Sequence, residues 1–281
     1  MERWISREVQ WAEVKGVKIL GLDEIGLKKG HRDFVVIVTG KSVSGEVKVL
    51  AVLPDRKKQT VKQFLEAMPR RVKRAIRTVC TDMYEGFILA VKEVLGKAQV
   101  VLDRYHVAKL YRAGADRLRT QEFRRLKREL PKAAYAQLKG AMWPFRKKAA
   151  DLEVAEQEVL TRLFTYSPVL QQAYEYREQL TGIFDAPLSK DAALLQLADW
   201  QRRVRASGLS CYDSFLHTLE KWRDEIANYF LARHNSGFVE GLNNKIKVLK
   251  RRCYGIFNLS HLFQRLFLDL EGYQRFAHTS A

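Results

Sequence analysis

Cysteine is scarce in this chain of 281 residues: three, at positions 80, 211 and 253, odd in number and far apart. That excludes a disulfide framework, and with no Cys-x-x-Cys pair there is no zinc knuckle either. Proline (6) and glycine (16) are also few, so the chain is neither fibrous nor low in complexity. Long apolar runs are missing. Phe87-Ile88-Leu89-Ala90-Val91 is broken by charge within a few residues, far short of the roughly 20 apolar residues of a membrane span. The opening Met1-Glu2-Arg3-Trp4 has no apolar signal core. These absences predict a soluble, cytoplasmic protein with no membrane partner.

What is present is apolar surface and positive charge. Apolar residues make up 47% and aromatics 11%, ample to offset chain entropy in one large domain or two small ones. Lys and Arg number 50 against 32 Asp and Glu, a formal net charge of +18. Nucleic acid is the commonest partner of such a surplus, through phosphate neutralisation and counterion release. A merely solvated basic surface is the competing explanation. A membrane-surface role fits less well, because the cations are spread along the chain rather than gathered on one amphipathic segment.

The first hundred residues alternate between strand and helix patterns. Val17 to Asp23 is a short apolar run ending on an acid. Phe34 to Thr39 is β-branched, and Glu46 to Leu53 alternates before turning fully apolar. Gly40 to Gly45 between them reads as a hairpin loop. Val61, Phe64, Leu65 and Met68 then recur at helical spacing. Ala75 to Asp82 is a fourth strand, Phe87 to Leu95 a helix stripe, and Gln99 to Asp103 a fifth strand. From about His106 to Leu231 nearly everything has helical period, with breaks at Pro131, Pro144, Pro168, Pro187 and Gly208. A last pair of helices covers about Gly237–Arg252 and Leu259–Phe276, and no internal repeat is visible.

Three antiparallel strands followed by helix, strand, helix, strand describe a mixed α/β sheet. The crossover rule makes the two later strands parallel to the first, giving the order 3-2-1-4-5. Asp23 and Asp82 then sit at the C-terminal ends of two parallel neighbours, about 4.8 Å apart between strands. Either acid alone is an unremarkable strand-end residue. Two together repel, and a hard divalent cation relieves that repulsion.

A third acid stands in the segment 235–252. Val239, Leu242, Ile246, Leu249 and Cys253 follow the core-facing stripe of a helix. Glu240, Asn244, Lys247 and Arg251 follow another stripe, with Glu240 in the first turn where the helix dipole favours a carboxylate. That stripe reads as a metal ligand followed by a phosphate-binding track, or as a solvated basic helix carrying one acid.

Asp23 in Gly-Leu-Asp-Glu, Asp82 in Cys-Thr-Asp-Met-Tyr and Glu240 in Phe-Val-Glu-Gly-Leu-Asn-Asn-Lys-Ile-Lys resemble the DDE transposases of bacterial insertion sequences. The group most closely resembled is the ISL-three family. The run from Asn235 to Gly255 is its most specific part, and Gly26 to His31 after the first acid also agrees. The resemblance covers roughly residues 17 to 276. It implies a ribonuclease-H-like core formed by residues 1–106 and 235–281, with a helical insertion at 107–234. It implies Asp23, Asp82 and Glu240 as ligands for Mg²⁺ or Mn²⁺, two ions in all, and His106 in Asp103-Arg104-Tyr105-His106 as a group orienting the scissile phosphate or a ligand. DNA is the implied partner: the element's terminal inverted repeats and target DNA, held by a homodimer or larger oligomer near the nucleoid. Relatives of this group usually carry an N-terminal zinc ribbon and helix-turn-helix that read the element's ends; no such cysteines precede the first strand here, which leaves sequence-specific end binding an open question.

Cations assigned to DNA phosphates are Lys245, Lys247, Lys250, Arg251 and Arg252 with Asn244, joined by Arg104 and by Arg124, Arg125, Lys127 and Arg128. They add salt-sensitive affinity rather than sequence readout. Trp143 reads as an anchor of the helical region, with stacking on DNA as the alternative. Tyr212, Phe215, Leu219, Trp222, Ile226, Tyr229 and Phe230 read as one helix stripe in a core. The favoured function is metal-dependent cleavage and strand transfer. A nuclease without strand transfer and a non-catalytic DNA-binding remnant remain open beside it.

Overall fold

The computed structural model describes residues 8–26, 34–233, 248 and 258–276. The chain divides into two compact units, Met1–Arg104 with Arg233–Ala281, and Tyr105–Ala232.

In the first unit, β1 (Val17–Gly26), β2 (Phe34–Ser42) and β3 (Val47–Leu53) are followed by α1 (Lys58–Ala67) and α2 (Arg70–Ala75). Then come β4 (Thr78–Thr81), α3 (Glu85–Val94) and β5 (Gln99–Leu102). The sheet order is β3-β2-β1-β4-β5. β1 pairs antiparallel with β2, and β2 with β3; β1 pairs parallel with β4, and β4 with β5. This is the ribonuclease-H-like mixed sheet that the pattern predicts. Val35, Val36, Ile37 and Val38 are all buried. Since alternate residues face opposite ways, both faces of β2 are covered.

One cover is the helix Leu259–Phe276. Its Leu262, Phe263 and Leu266 pack with Ile25, Val35, Ile37 and Val49, each large apolar side chain contributing roughly 1.5–3 kcal/mol on full burial. Elsewhere in this unit α1 packs on α3, and α3 on β4 and β5.

Several boundaries differ from expectation. β1 does not end at Asp23 but runs on to Gly26, because its antiparallel pairing with β2 continues to Gly26↔Phe34. The hairpin loop is shorter than Gly40–Gly45, since β2 extends to Ser42 and Gly45 closes the turn at φ +87°, a conformation open to glycine at little cost. The segment before β4 is not strand but the short helix α2, which ends at Ala75.

The second unit is all helical: α4 (Arg104–Glu129, entering from the first unit), α5 (Lys132–Ala136), α6 (Met142–Arg146), α7 (Val154–Tyr166), α8 (Pro168–Asp185) and α9 (Lys190–Ser207). α10 (Asp213–Lys221), α11 (Arg223–Ala227) and α12 (Tyr229–Ala232) follow. The stripe from Tyr212 to Phe230 is buried as expected, yet it belongs to three short helices rather than one. Trp200 packs edge-on against Tyr212 and Phe215, with ring centroids 5.5 and 5.6 Å away. Its indole N–H donates to the Tyr176 carbonyl at 2.9 Å, so a large apolar ring is buried with its polar atom satisfied. Trp143 is no anchor: it is 63% exposed, while Phe145 two residues on is fully buried. Pro144 does not end a helix but lies within α6.

Gly114 on α4 is a close-approach position. A Cβ there would stand 2.2 Å from the Cys211 carbonyl oxygen. Gly114→Ala is therefore expected to cost about 1–3 kcal/mol through forced repacking, measured as a lower denaturant midpoint. Asp116 joins α4 to α6. Arg146 Nε and Nη2 donate to its Oδ1 and Oδ2 at 3.0 and 2.7 Å, and Arg119 Nε donates to Oδ1 at 2.8 Å. The Arg146 and Arg119 hydrogen bonds hold this carboxyl down from 3.8 to about 2. A depressed folded-state value means stability present above about pH 4 and lost as pH falls towards 2. Asp116→Asn is expected to flatten that part of the stability–pH curve.

Candidate active site

The acids are positioned by ladder register. The parallel β1/β4 pairs run Ile19↔Thr78 to Leu22↔Thr81, so Asp23 and Asp82 are the next step on each strand. β4 pairs with β5 as far as Thr81↔Leu102, and the Asp103 N–H extends this ladder by donating to the Thr81 carbonyl at 2.8 Å. Asp23, Asp82 and Asp103 thus fall level at the C-terminal ends of the parallel pairing, the edge where open α/β sheets take ligands. Asp23 still pairs with Ile37 of β2, which holds its backbone from the other side.

Asp23 and Asp103 are buried and Asp82 half-buried. Asp23 Oδ1 accepts from the Glu24 N–H at 2.8 Å, and Asp82 Oδ1 from the Tyr84 N–H at 2.9 Å. The second bond closes an Asx turn into α3. Each carboxylate is therefore oriented by its own backbone. Cys80, two residues before Asp82, is buried; burial pushes its thiol up to about 12, with the Asp103 charge adding to it and Lys41 opposing.

Arg56, on the β3–α1 connection, escaped the sequence reading. Its Nη1 donates to Glu24 Oε2 at 2.9 Å, and its guanidinium lies over Phe34 and Tyr84, 4.8 and 5.0 Å from the ring centroids. The Glu24 hydrogen bond and charge raise its pKa, and Tyr84 and Asp82 push it more weakly in the same direction. A planar cation over two rings thus stands within the field of Asp82. A single arginine in a loop carries no periodic signal that could have marked it.

The remaining predicted residues are dispersed. His106 stands in the first turn of α4, its ring edge-on to Tyr105 at 5.4 Å. Arg104 opens the same helix. Arg124, Lys127 and Arg128 are exposed, and their spacing puts them on one face of α4. Arg125 is turned instead to Glu122, at 2.7 Å, and to Glu129. Glu240, Asn244, Lys245, Lys247, Lys250, Arg251 and Arg252 lie outside the described residues. Among the described residues no three or more His, Cys, Asp or Glu are gathered closely enough to hold an ion, and no helix is long and apolar enough to cross a membrane.

A five-stranded mixed sheet of order β3-β2-β1-β4-β5 with level aspartates at its parallel edge is a ribonuclease-H-like architecture. The DDE transposase model of the ISL3 type matches residues 20–266. The chain belongs to that family. It is 28% identical to the transposase of insertion sequence IS1001 from Bordetella parapertussis, over 92% of this chain and 62% of the relative. It is 23% identical to the IS1557 transposase of Mycobacterium tuberculosis, over 96% of this chain and 64% of the relative. The chain thus spans less than two thirds of the length of these relatives. A shorter match, 31% identical over 40% of the chain, is to a Lactococcus lactis protein named ATP-dependent protease; it is too brief to carry an activity across.

Removing Arg56 should cost little stability. Its Glu24 pair is partly exposed and its ring contacts are peripheral, so Arg56→Ala is expected to lower the unfolding free energy by about 1 kcal/mol. Urea unfolding with an unchanged slope is the check.

Proposed function

We propose that this chain forms the catalytic core of a DNA transposase, cutting at the ends of an insertion sequence and joining them to target DNA. The observation that carries this reading is the register that sets Asp23 level with Asp82 in an ISL3-family sheet. The core consists of residues 1–106 and 235–281, and residues 107–234 are its helical insertion; the two compact units support that division. Water attacks the phosphodiester at the element's end and releases a 3′-hydroxyl. That hydroxyl then attacks target DNA in a second displacement.

Asp23 and Asp82 are hard oxygen donors, each turned by a backbone N–H, and such a donor set suits Mg²⁺ or Mn²⁺. With Glu240 they would hold the metal, two ions by family likeness. When bound, the ions supply Lewis-acid activation of phosphoryl transfer. The protein's own part is to fix the carboxylates, exclude rotation at the strand ends and neutralise the DNA backbone. Arg56 sets the local positive field beside Asp82, and His106 orients the phosphate to be cut. Arg104, Arg124, Lys127 and Arg128, with Asn244, Lys245, Lys247, Lys250, Arg251 and Arg252, bind phosphates. The chain acts as a dimer or larger assembly on DNA.

Asp23→Asn and Asp82→Asn should each lower Mn²⁺-dependent nicking of an element-end duplex by roughly 10³-fold or more, with DNA affinity nearly unchanged. Cutting at the wild-type rate by either variant would refute the assignment. Pre-cut ends separate the activities: a transposase joins them to target DNA, whereas a hydrolytic nuclease gives no joined product.

A further inference from the structure

At the end of the parallel strands opposite the acids, the first unit carries a groove of about 710 Å³. Its cationic lining comes from Arg70, Lys73 and Arg74 of α2, Arg77 just before β4, and Lys97 just before β5. No acidic residue lines it, and its floor is apolar, with Ile76 and Leu95 buried. Arg70, Lys73 and Arg74 follow steps of three and one, so α2 projects them from one side, and Arg77 joins the lining from the link between α2 and β4. Arg71 departs from that side, donating to the Val14 carbonyl at 2.8 Å and to the Trp11 carbonyl.

The cations are held on rigid backbone. The Arg77 N–H donates to the Lys18 carbonyl, and the Gln99 N–H to the Arg77 carbonyl, both at 2.8 Å. Lys73 Nζ donates to the Glu66 carbonyl at 2.7 Å. Arg70, Arg74, Arg77 and Lys97 are exposed, and among the described residues none of these four is in an ion pair. Four like charges clustered on a fixed edge repel one another, and a polyanion neutralises them together while releasing its own counterions.

We propose that this groove binds the phosphate backbone of a DNA duplex, at a place separate from the phosphodiester cut beside Asp23 and Asp82. Arg77 and Asp82 bracket the four residues of β4, so the two sites are about 16 Å apart along the strand. One phosphate cannot occupy both. The inference rests on the DNA-transposase reading and adds to it a second DNA-binding place on the back edge of the sheet.

The test uses the full chain, a 30-base-pair duplex and metal-free buffer, with affinity followed against salt. Arg74→Gln/Arg77→Gln is compared with Lys132→Gln/Lys139→Gln, which removes equal charge from exposed positions of the second unit. The groove variant should flatten the log–log salt slope by about 0.9 for each phosphate it no longer neutralises, while the control leaves the slope close to wild type. Thermal unfolding of both variants checks that neither is misfolded. Equal slopes for the two variants would overturn the groove and leave the proposed function standing. A wild-type chain that binds no duplex would overturn both.

Discussion

The register between β1 and β4 is the constraint on which the rest depends. Side chains alternate faces along a strand, so a slip of one residue would send Asp23 to the opposite face from Asp82. Two ladders oppose that slip. β1 is paired with β2 through to Gly26↔Phe34, and with β4 from Ile19↔Thr78. A backbone bond from Arg77 to Lys18 lengthens the β1/β4 pairing at its start, and one from Asp103 to Thr81 lengthens the neighbouring β4/β5 pairing at its end. The apolar packing of Ile25, Val35 and Ile37 under Leu262, Phe263 and Leu266 then fixes which face is which. A site made of short carboxylate side chains needs this, because an Asp has little reach with which to correct a misplaced backbone.

The sheet was legible in the sequence because its strands are compact β-branched runs separated by helices, and crossover handedness leaves few ways to order them. Asp23 and Asp82 could be singled out because each terminates such a run. What could not be read had no period to reveal it. Glu24 and Ile25 follow Asp23 without a turn residue, yet β1 continues because β2 continues beside it. α2 is six residues of mostly charge with Val72 alone buried, too short to show a stripe. The buried series from Tyr212 to Phe230 identified a core face but not its chain path, since three short helices can present one face as well as a long one. Phe145 rather than Trp143 is the buried ring, because ring size says nothing about which of two neighbours points inward. Arg56 became visible only once Phe34, Tyr84 and Glu24 were brought around it.

Charge is distributed by polarity along the parallel strands rather than evenly. Carboxylates are gathered past the C-terminal ends of β4 and β5, and cations ahead of their N-terminal ends. In the helical unit several cations are taken up by neighbouring carboxylates. Arg146 and Arg119 share Asp116, and Arg125 is held by Glu122 and Glu129. Arg177, 3% exposed, donates to the Lys147 and Phe145 carbonyls and to Glu178 Oε1 at 2.9 Å, so a buried charge is satisfied by two backbone oxygens and a carboxylate. The same residue types therefore do different work at different places: cohesion around Asp116, Glu122 and Arg177, and an unneutralised edge ahead of β4 and β5.

The thiol of Cys80 lies two residues before Asp82, so on the same side of β4. Burial pushes its pKa up to about 12, so the thiol keeps its proton at neutral pH. Oxidants and alkylating reagents act on the thiolate. The thiol beneath the acids is therefore shielded from that chemistry, and its sulfur packs as a small apolar group.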